Sequence, residues 1–194
     1  MAEHDFNQRL PKSEIVESGY LESMLDNFAS SYKLFWFKGI FMEIQKGNTT
    51  LEYRRIVARM IAEAWYPVVF YHLSLGFSDK LADAIHYMQE ELHIPREEKA
   101  NRIVEFVCTT TDKKLLQMVK DFTNFVPYRL IRPFYQREIE FERKRDLTFR
   151  DSRINRIIEE HNQNDRNNAL YVMNRIDGIL TISPKWEQYL KTNA

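Results

Sequence analysis

The sequence predicts a mainly helical α+β domain that ends in a small β-hairpin. Glycine occurs only 5 times in 194 residues, which favours long helices over a many-stranded sheet because tight turns depend on glycine. Apolar side chains recur at helical spacing in several segments, most regularly between residues 53 and 64. Near the C-terminus, two short apolar runs flank Asp177 and Gly178, a pair typical of hairpin turns.

Two helices are predicted before residue 45. Residues 13–27 form the first, and Ser30 and Ser31 can cap a second helix that runs through Ile44. The second helix carries apolar side chains nearly all round, so we expect it at the centre of the core.

Four more helices are predicted up to residue 126. Thr49 and Glu52 have the spacing of a capping box at the start of the third helix, and Pro67 is expected to end or kink that helix. The following three helices are predicted to begin at Ser78, at Pro95, and at Thr111 or Asp112.

The remaining residues, 127–194, begin with a segment that is rich in arginine. The pattern over 127–150 predicts no particular backbone, whereas Asp151 can cap a helix over 152–163. Strands are predicted over 170–173 and 179–182, followed by a last helix that starts at Ser183 and Pro184.

We therefore expect two parts that share one core. Residues 1–126 form a helical body, and residues 127–194 form a basic segment, a helix, a hairpin and a short helix, within a single domain. The order of helix and hairpin is similar to the end of a winged-helix module, by topology alone.

Composition excludes several classes of function. The chain carries 28 basic and 28 acidic residues, which argues against a protein that binds nucleic acid through its overall charge but not against a local basic face. Five glycines form neither a Walker loop nor a dinucleotide fingerprint. No secretion signal is recognised and no apolar run approaches the ~20 residues of a bilayer span, so we expect a cytoplasmic protein.

No group of side chains predicts a complete catalytic centre. His86, Glu90 and His93 have helical spacing that could place a metal on one face. The apolar stripe of the same helix is formed by Leu81, Ile85, Met88 and Leu92, so a solvated helix face is the favoured interpretation. Cys108, the single cysteine, has apolar neighbours and is expected to be a small buried residue.

A basic, amide-rich stretch is the candidate binding region. Arginine and lysine neutralise phosphates, and arginine and asparagine can pair with base edges. The amide-rich end of the stretch, residues 162–168, comprises the end of the predicted helix and the polar loop after it. A solvated polar face is the alternative for the whole stretch. The side chains predicted to contact nucleic acid are Arg129, Arg132, Arg143, Lys144, Arg145, Arg150, Arg153, Asn155, Arg156 and Arg166.

Short strings spread over roughly residues 27–193 resemble a known family in their order and spacing. The strings are Ser31-Tyr32-Lys33-Leu34-Phe35-Trp36-Phe37, Ala64-Trp65-Tyr66, Val126-Pro127-Tyr128-Arg129-Leu130, Arg132-Pro133-Phe134-Tyr135 and Leu170-Tyr171, then Ile182, Pro184, Trp186, Tyr189-Leu190 and Asn193. On these strings the chain resembles the N-terminal, non-catalytic region of bacterial HNH endonuclease domain-containing proteins.

The resemblance implies a module without its own active site. In that family the HNH centre, with its divalent metal and general-base histidine, lies downstream of these strings. The hairpin around Asp177 carries no histidine, so no catalytic residue or cofactor is implied for this chain, and a metal would belong to a domain beyond Ala194. The implied function is to bind or position DNA for a downstream nuclease domain or partner protein.

Two other functions remain open on sequence. The chain could be a protein-interaction or inhibitor module that does not bind nucleic acid. It could also be a divergent metal-dependent nuclease in which Glu140 and Glu142 hold the metal and Lys144 activates water.

Overall fold

The computed structural model describes residues 10–25, 32–74, 80–146, 148–164 and 168–193. These residues are mainly helical, as predicted. The helices are α1 (Ser18–Leu25), α2 (Tyr32–Gln45), α3 (Tyr53–Tyr71), α4 (Lys80–Glu90), α5 (Ala100–Thr109), α6 (Lys113–Thr123), α7 (Val126–Ile131), α8 (Gln136–Arg145), α9 (Ile154–Asn162) and α10 (Pro184–Thr192), with 3-10 turns at Arg132–Tyr135 and Asp151–Arg153.

A three-stranded antiparallel sheet accompanies the helices. The predicted hairpin is confirmed as β2 (Tyr171–Asn174) and β3 (Ile179–Ile182), and Gly178 supplies the positive φ of +66° that its turn requires. A third strand, β1 (Thr50–Glu52), pairs with the other side of β3, so the order is β1-β3-β2. The sheet therefore joins two segments that lie far apart in the chain.

The expected capping box at Thr49 and Glu52 is wrong. Glu52 precedes α3 but its side chain makes no capping hydrogen bond. Instead, the Ile182 N–H donates to the Thr49 carbonyl and the Tyr53 N–H donates to the Gly178 carbonyl, both at 2.8 Å. Residues 50–52 thus form a strand of the sheet, and α3 begins only at Tyr53.

The longest described helix, α3, continues past Pro67 to Tyr71. The expectation that Pro67 could end the helix is therefore wrong, and His72 closes it in a left-handed conformation with φ 49°. Among the described residues, neither α3 nor any other helix is both long and apolar enough to span a membrane.

The helices α2 and α3 form the centre of the core and approach each other closely. A Cβ atom at Gly39 of α2 would lie 3.1 Å from the Ile56 carbonyl oxygen of α3. On α2, Trp36 and Ile40 have no exposed surface, and they belong to one core cluster with Leu180 of β3 and Trp186 of α10. The buried side chains of the two halves of the chain thus form a continuous core.

One ion cluster lies inside the contact between these two helices. The fully buried carboxylate of Glu43 accepts hydrogen bonds from Arg59 at 2.6 Å, from Arg55 at 2.7 Å and from Asn48 at 2.9 Å. Burial alone would raise the pKa of Glu43, but the bonds from Arg55, Arg59 and Asn48 lower it to about 2. We call Glu43, Asn48, Arg55 and Arg59 the buried ion cluster because Glu43 and Arg59 are buried, although the Arg55 side chain is 42% exposed.

Other predicted helix boundaries differ from the observed ones by a few residues. The helix expected from Pro95 begins at Ala100, and the helix expected over 13–27 spans Ser18–Leu25. Asp112 caps α6 as predicted, since its carboxylate accepts from the Leu115 N–H at 2.7 Å. The segment 127–150, for which the pattern predicted no backbone, is largely helical. The predicted caps Ser30, Ser31 and Ser78 lie outside the described residues.

Candidate nucleic-acid interface

The end of α8 gathers basic side chains. Arg143, Lys144 and Arg145 occupy its last turn, where cations interact favourably with the negative end of the helix dipole. All three are exposed, because α8 is held to the core through Ile139, its one buried side chain among the described residues.

An ordered loop follows α8. The Asp146 carboxylate accepts hydrogen bonds from the Thr148 N–H at 2.9 Å and from the Thr148 hydroxyl at 2.6 Å. These bonds, joined by an ion pair with Arg153, lower the pKa of Asp146. The Phe149 N–H closes the turn on the Asp146 carbonyl at 3.0 Å. The acidic residue thus builds the loop that carries Phe149 and Arg150.

Helix α9 is fixed by its apolar side and tied to α8 by ion pairs. Ile154, Ile157 and Ile158 are buried in the core. Arg153, just before α9, pairs with Asp146 and approaches Glu142 of α8 at 4.0 Å. The end of α8 and the start of α9 therefore face the solvent together.

This arrangement concentrates positive charge. Residues 142–156 carry six basic and three acidic side chains, although the whole chain is balanced at 28 of each sign. In the described part of the chain, Lys144 and Arg150 have no carboxylate within ion-pairing distance, whereas Arg145 pairs with Glu142 at 3.5 Å. We define the basic corner as Arg143, Lys144, Arg145, Arg150 and Arg153.

Two phenylalanines lie among these cations. Phe141 is 60% exposed, and the Arg145 guanidinium lies 5.3 Å from the centre of its ring. The half-buried ring of Phe149 has Arg143 at 5.4 Å and Arg153 at 5.9 Å. Neither ring is among the side chains predicted from the sequence, although both alternate with arginines between residues 141 and 153.

The other predicted contact residues lie outside the corner. Arg129, on α7, stacks over Phe125 at 5.8 Å, and Arg132 begins the following 3-10 turn. Asn155 is half-buried on α9. Arg156 pairs with Glu160 at 2.7 Å, a contact that raises the pKa of Arg156 and lowers that of Glu160. Arg166 lies outside the described residues. The structure thus brings together five of the ten predicted side chains.

Asn162 is not available to read a base, contrary to the prediction. It is 1% exposed, and its amide donates to the Tyr135 hydroxyl at 2.7 Å and to the Tyr171 carbonyl at 2.8 Å. Its side-chain oxygen accepts from the Met173 N–H at 2.6 Å. The amide is saturated because it joins α9 to β2 inside the core.

Several residues of the strings that resemble the HNH family have structural partners. The Tyr171 hydroxyl donates to the Pro127 carbonyl at 2.6 Å, and the Trp186 indole donates to the Asn168 carbonyl at 2.7 Å. The Trp65 indole donates to the Arg96 carbonyl at 2.9 Å. These contacts hold helices and loops together, so the three aromatic residues have structural roles.

The helix-face metal site is not formed. Helix α4 ends at Glu90, and His93 lies beyond it with a left-handed φ of 54°, so the three side chains do not share a helix face. Within the described ranges, no three His, Cys, Asp or Glu side chains are placed to hold a metal ion.

The positions of Glu140 and Glu142 do not support the hypothesis that they hold a catalytic metal together. Glu140 and Glu142 lie two residues apart on α8, and residues at that spacing do not face each other on a helix. Gln136 donates to Glu140 at 2.9 Å, and Glu142 pairs with Arg145.

Cys108 is half-buried rather than buried, and burial raises the pKa of its thiol, which disfavours a nucleophilic thiolate.

No family model, curated protein or solved structure matches this chain.

Proposed function

We propose that this protein is a non-catalytic DNA-binding module, and that the basic corner is its contact surface. The observation that carries the proposal is the exposure of five cations at the junction of α8 and α9 in a chain with no net charge. The resemblance to HNH endonuclease proteins supports a role in positioning DNA for a nuclease domain or partner.

The corner is built so that its cations remain accessible. Its acidic residues have structural tasks: Asp146 orders the loop, and Glu142 lies between Arg145 and Arg153. Lys144 and Arg150 are exposed and have no carboxylate partner in the described part of the chain. Such cations can neutralise phosphates without first breaking an internal ion pair.

The test removes those two charges and leaves the scaffold unchanged. In the double variant Lys144→Gln/Arg150→Gln, DNA affinity should fall, and the slope of log affinity against log salt should flatten by about one for each charge removed. Fluorescence anisotropy with a labelled DNA across a salt series measures both quantities. Removing charge at Arg153 and Arg156 should also weaken binding, but Arg153 additionally holds the loop.

A matched control removes two exposed lysines elsewhere. Lys99→Gln/Lys113→Gln alters the net charge equally at the start of α5 and α6. If this control weakens binding as much as the corner variant does, the contact is not localised at the corner. If the parent protein binds no DNA at low salt, the proposal fails and a protein partner becomes the leading alternative.

A further inference from the structure

Two phenylalanine rings lie among the cations of the basic corner, and one of them, Phe141, is exposed without an evident benefit to folding. Phe141 is 60% exposed on α8, although a ring of this size would be stabilising if it were buried. Phe149 is half-buried: part of it packs against the core, and the loop that Asp146 orders keeps it beside the cations. Guanidinium groups lie 5.3–5.9 Å from the centres of the two rings.

Rings among cations suit unpaired bases better than a duplex. In double-stranded DNA the base faces are stacked on one another, so a protein surface meets only base edges and phosphates. In a single strand the faces are free to stack on aromatic rings and on guanidinium planes, while nearby cations follow the backbone. Phe141 and Phe149, alternating with Arg143, Arg145 and Arg153, provide both kinds of contact.

The rest of the corner does not resemble a groove-reading element. Helix α9 has nine residues, and its solvent side carries Glu160, paired with Arg156. Of its two asparagines, Asn162 is buried and Asn155 is half-buried. A recognition helix presents donors and acceptors to base edges, and the exposed side of α9 offers a neutralised pair instead.

We infer that the basic corner binds single-stranded DNA, with unpaired bases stacked on Phe141 and Phe149 and with phosphates neutralised by the surrounding cations. This inference rests on the proposed function, because it names the form of DNA that the same surface takes. The neighbouring arginines orient each ring and extend the flat surface on which a base lies.

The test compares a thymidine oligonucleotide with a duplex of equal length, by anisotropy across a salt series. The parent should bind the single strand more tightly. Phe141→Leu/Phe149→Leu should lose at least ~5-fold in single-strand affinity for each ring, because stacking is lost while the apolar volume remains. Its salt slope should match that of the parent, since no charge changes.

Two further variants keep the result interpretable. Phe141→Leu alone changes a largely exposed ring and is not expected to disturb folding. Tyr66→Leu/Tyr71→Leu removes two exposed rings on α3, 56% and 64% exposed, and should bind as the parent does.

The outcomes separate this inference from the proposed function. Tighter binding of the single strand that depends on the two phenylalanines supports both. If duplex and single strand bind equally, with an unchanged affinity for the phenylalanine variants and a weakened one for Lys144→Gln/Arg150→Gln, the corner binds DNA but the single-strand inference is overturned. Absence of any binding at low salt overturns both.

Discussion

The buried ion cluster and the basic corner each contain an arginine paired with a carboxylate, but the two pairs differ in their exposure to water. In the cluster, Glu43 has no exposed surface and Arg59 is 5% exposed at the side chain. In the corner, Arg153 pairs with Asp146 while 44% of its side chain remains exposed. Water screens the second pair and stabilises its separated charges, whereas the first has only its partners. The same chemistry therefore supports folding at one site and leaves cations accessible to a ligand at the other.

The largest effect that this comparison predicts comes from breaking the buried cluster. Glu43→Gln leaves the buried Arg59 without a counter-charge, so the free energy of unfolding should fall by about 3–5 kcal/mol. Urea denaturation measures the loss. A loss below ~1 kcal/mol would mean that the cluster behaves like a surface pair, and the contrast between the two sites would disappear.

Acid should remove the same contribution from the parent protein. The pKa of Glu43 is lowered from 4.5 to about 2 in the folded state, so the folded protein binds this proton less readily than the unfolded chain does. The stabilisation from ionised Glu43 is complete above about pH 4.5 and is lost as the pH falls towards 2. The difference in stability between the parent and Glu43→Gln should accordingly shrink over that range; a constant difference would contradict the assignment.

Asn162→Ala tests an uncharged buried network and should have an intermediate effect. It leaves the buried Met173 N–H without its acceptor and removes a donor from the Tyr171 carbonyl, which should cost roughly 1–3 kcal/mol in the free energy of unfolding. Gln163→Ala, at the adjacent exposed position, is the control and should change little. Equal effects of the two substitutions would show that the burial of Asn162 is not what matters.

The smallest effect is expected at an exposed pair next to the corner. Arg156 and Glu160 form an i,i+4 contact on the outside of α9, where water and salt screen the pair. Glu160→Gln should therefore leave the urea midpoint nearly unchanged, with a slightly larger effect at low salt because screening is weaker there. A loss comparable to that of Glu43→Gln would show that exposure does not separate the two classes of ion pair.

Local patterns in the sequence predicted local structure well. The hairpin turn at Asp177 and Gly178 and the cap at Asp112 depend on a few neighbouring residues, and the structure confirms both. Strand β1 escaped prediction because its hydrogen-bonding partner is β3. No residue near Thr49 and Glu52 indicates that pairing, and their spacing predicts a capping box instead.

The candidate site was predictable in charge but not in arrangement. Arg143 to Arg153 appear in the sequence as a basic run, yet only the packing of α8 against α9 shows which cations lie together. The sequence alone does not show whether the Asn162 amide contacts a base or forms hydrogen bonds inside the core. Its partners, Tyr135 and Tyr171, are brought to it only by the fold. Residue type indicates what a side chain can do, whereas long-range packing decides whether it is available.

The pairing of β1 with β3 also has a consequence for synthesis on the ribosome. At roughly 5–20 residues per second, β1 leaves the ribosome several seconds before β3, its hydrogen-bonding partner. By the end of that interval the nascent chain carries most of its helices, while one edge of β1 remains unsatisfied. Unpaired strand edges can join other chains. The nascent chain is therefore most prone to aggregation just before its last four elements, α9, β2, β3 and α10, are made.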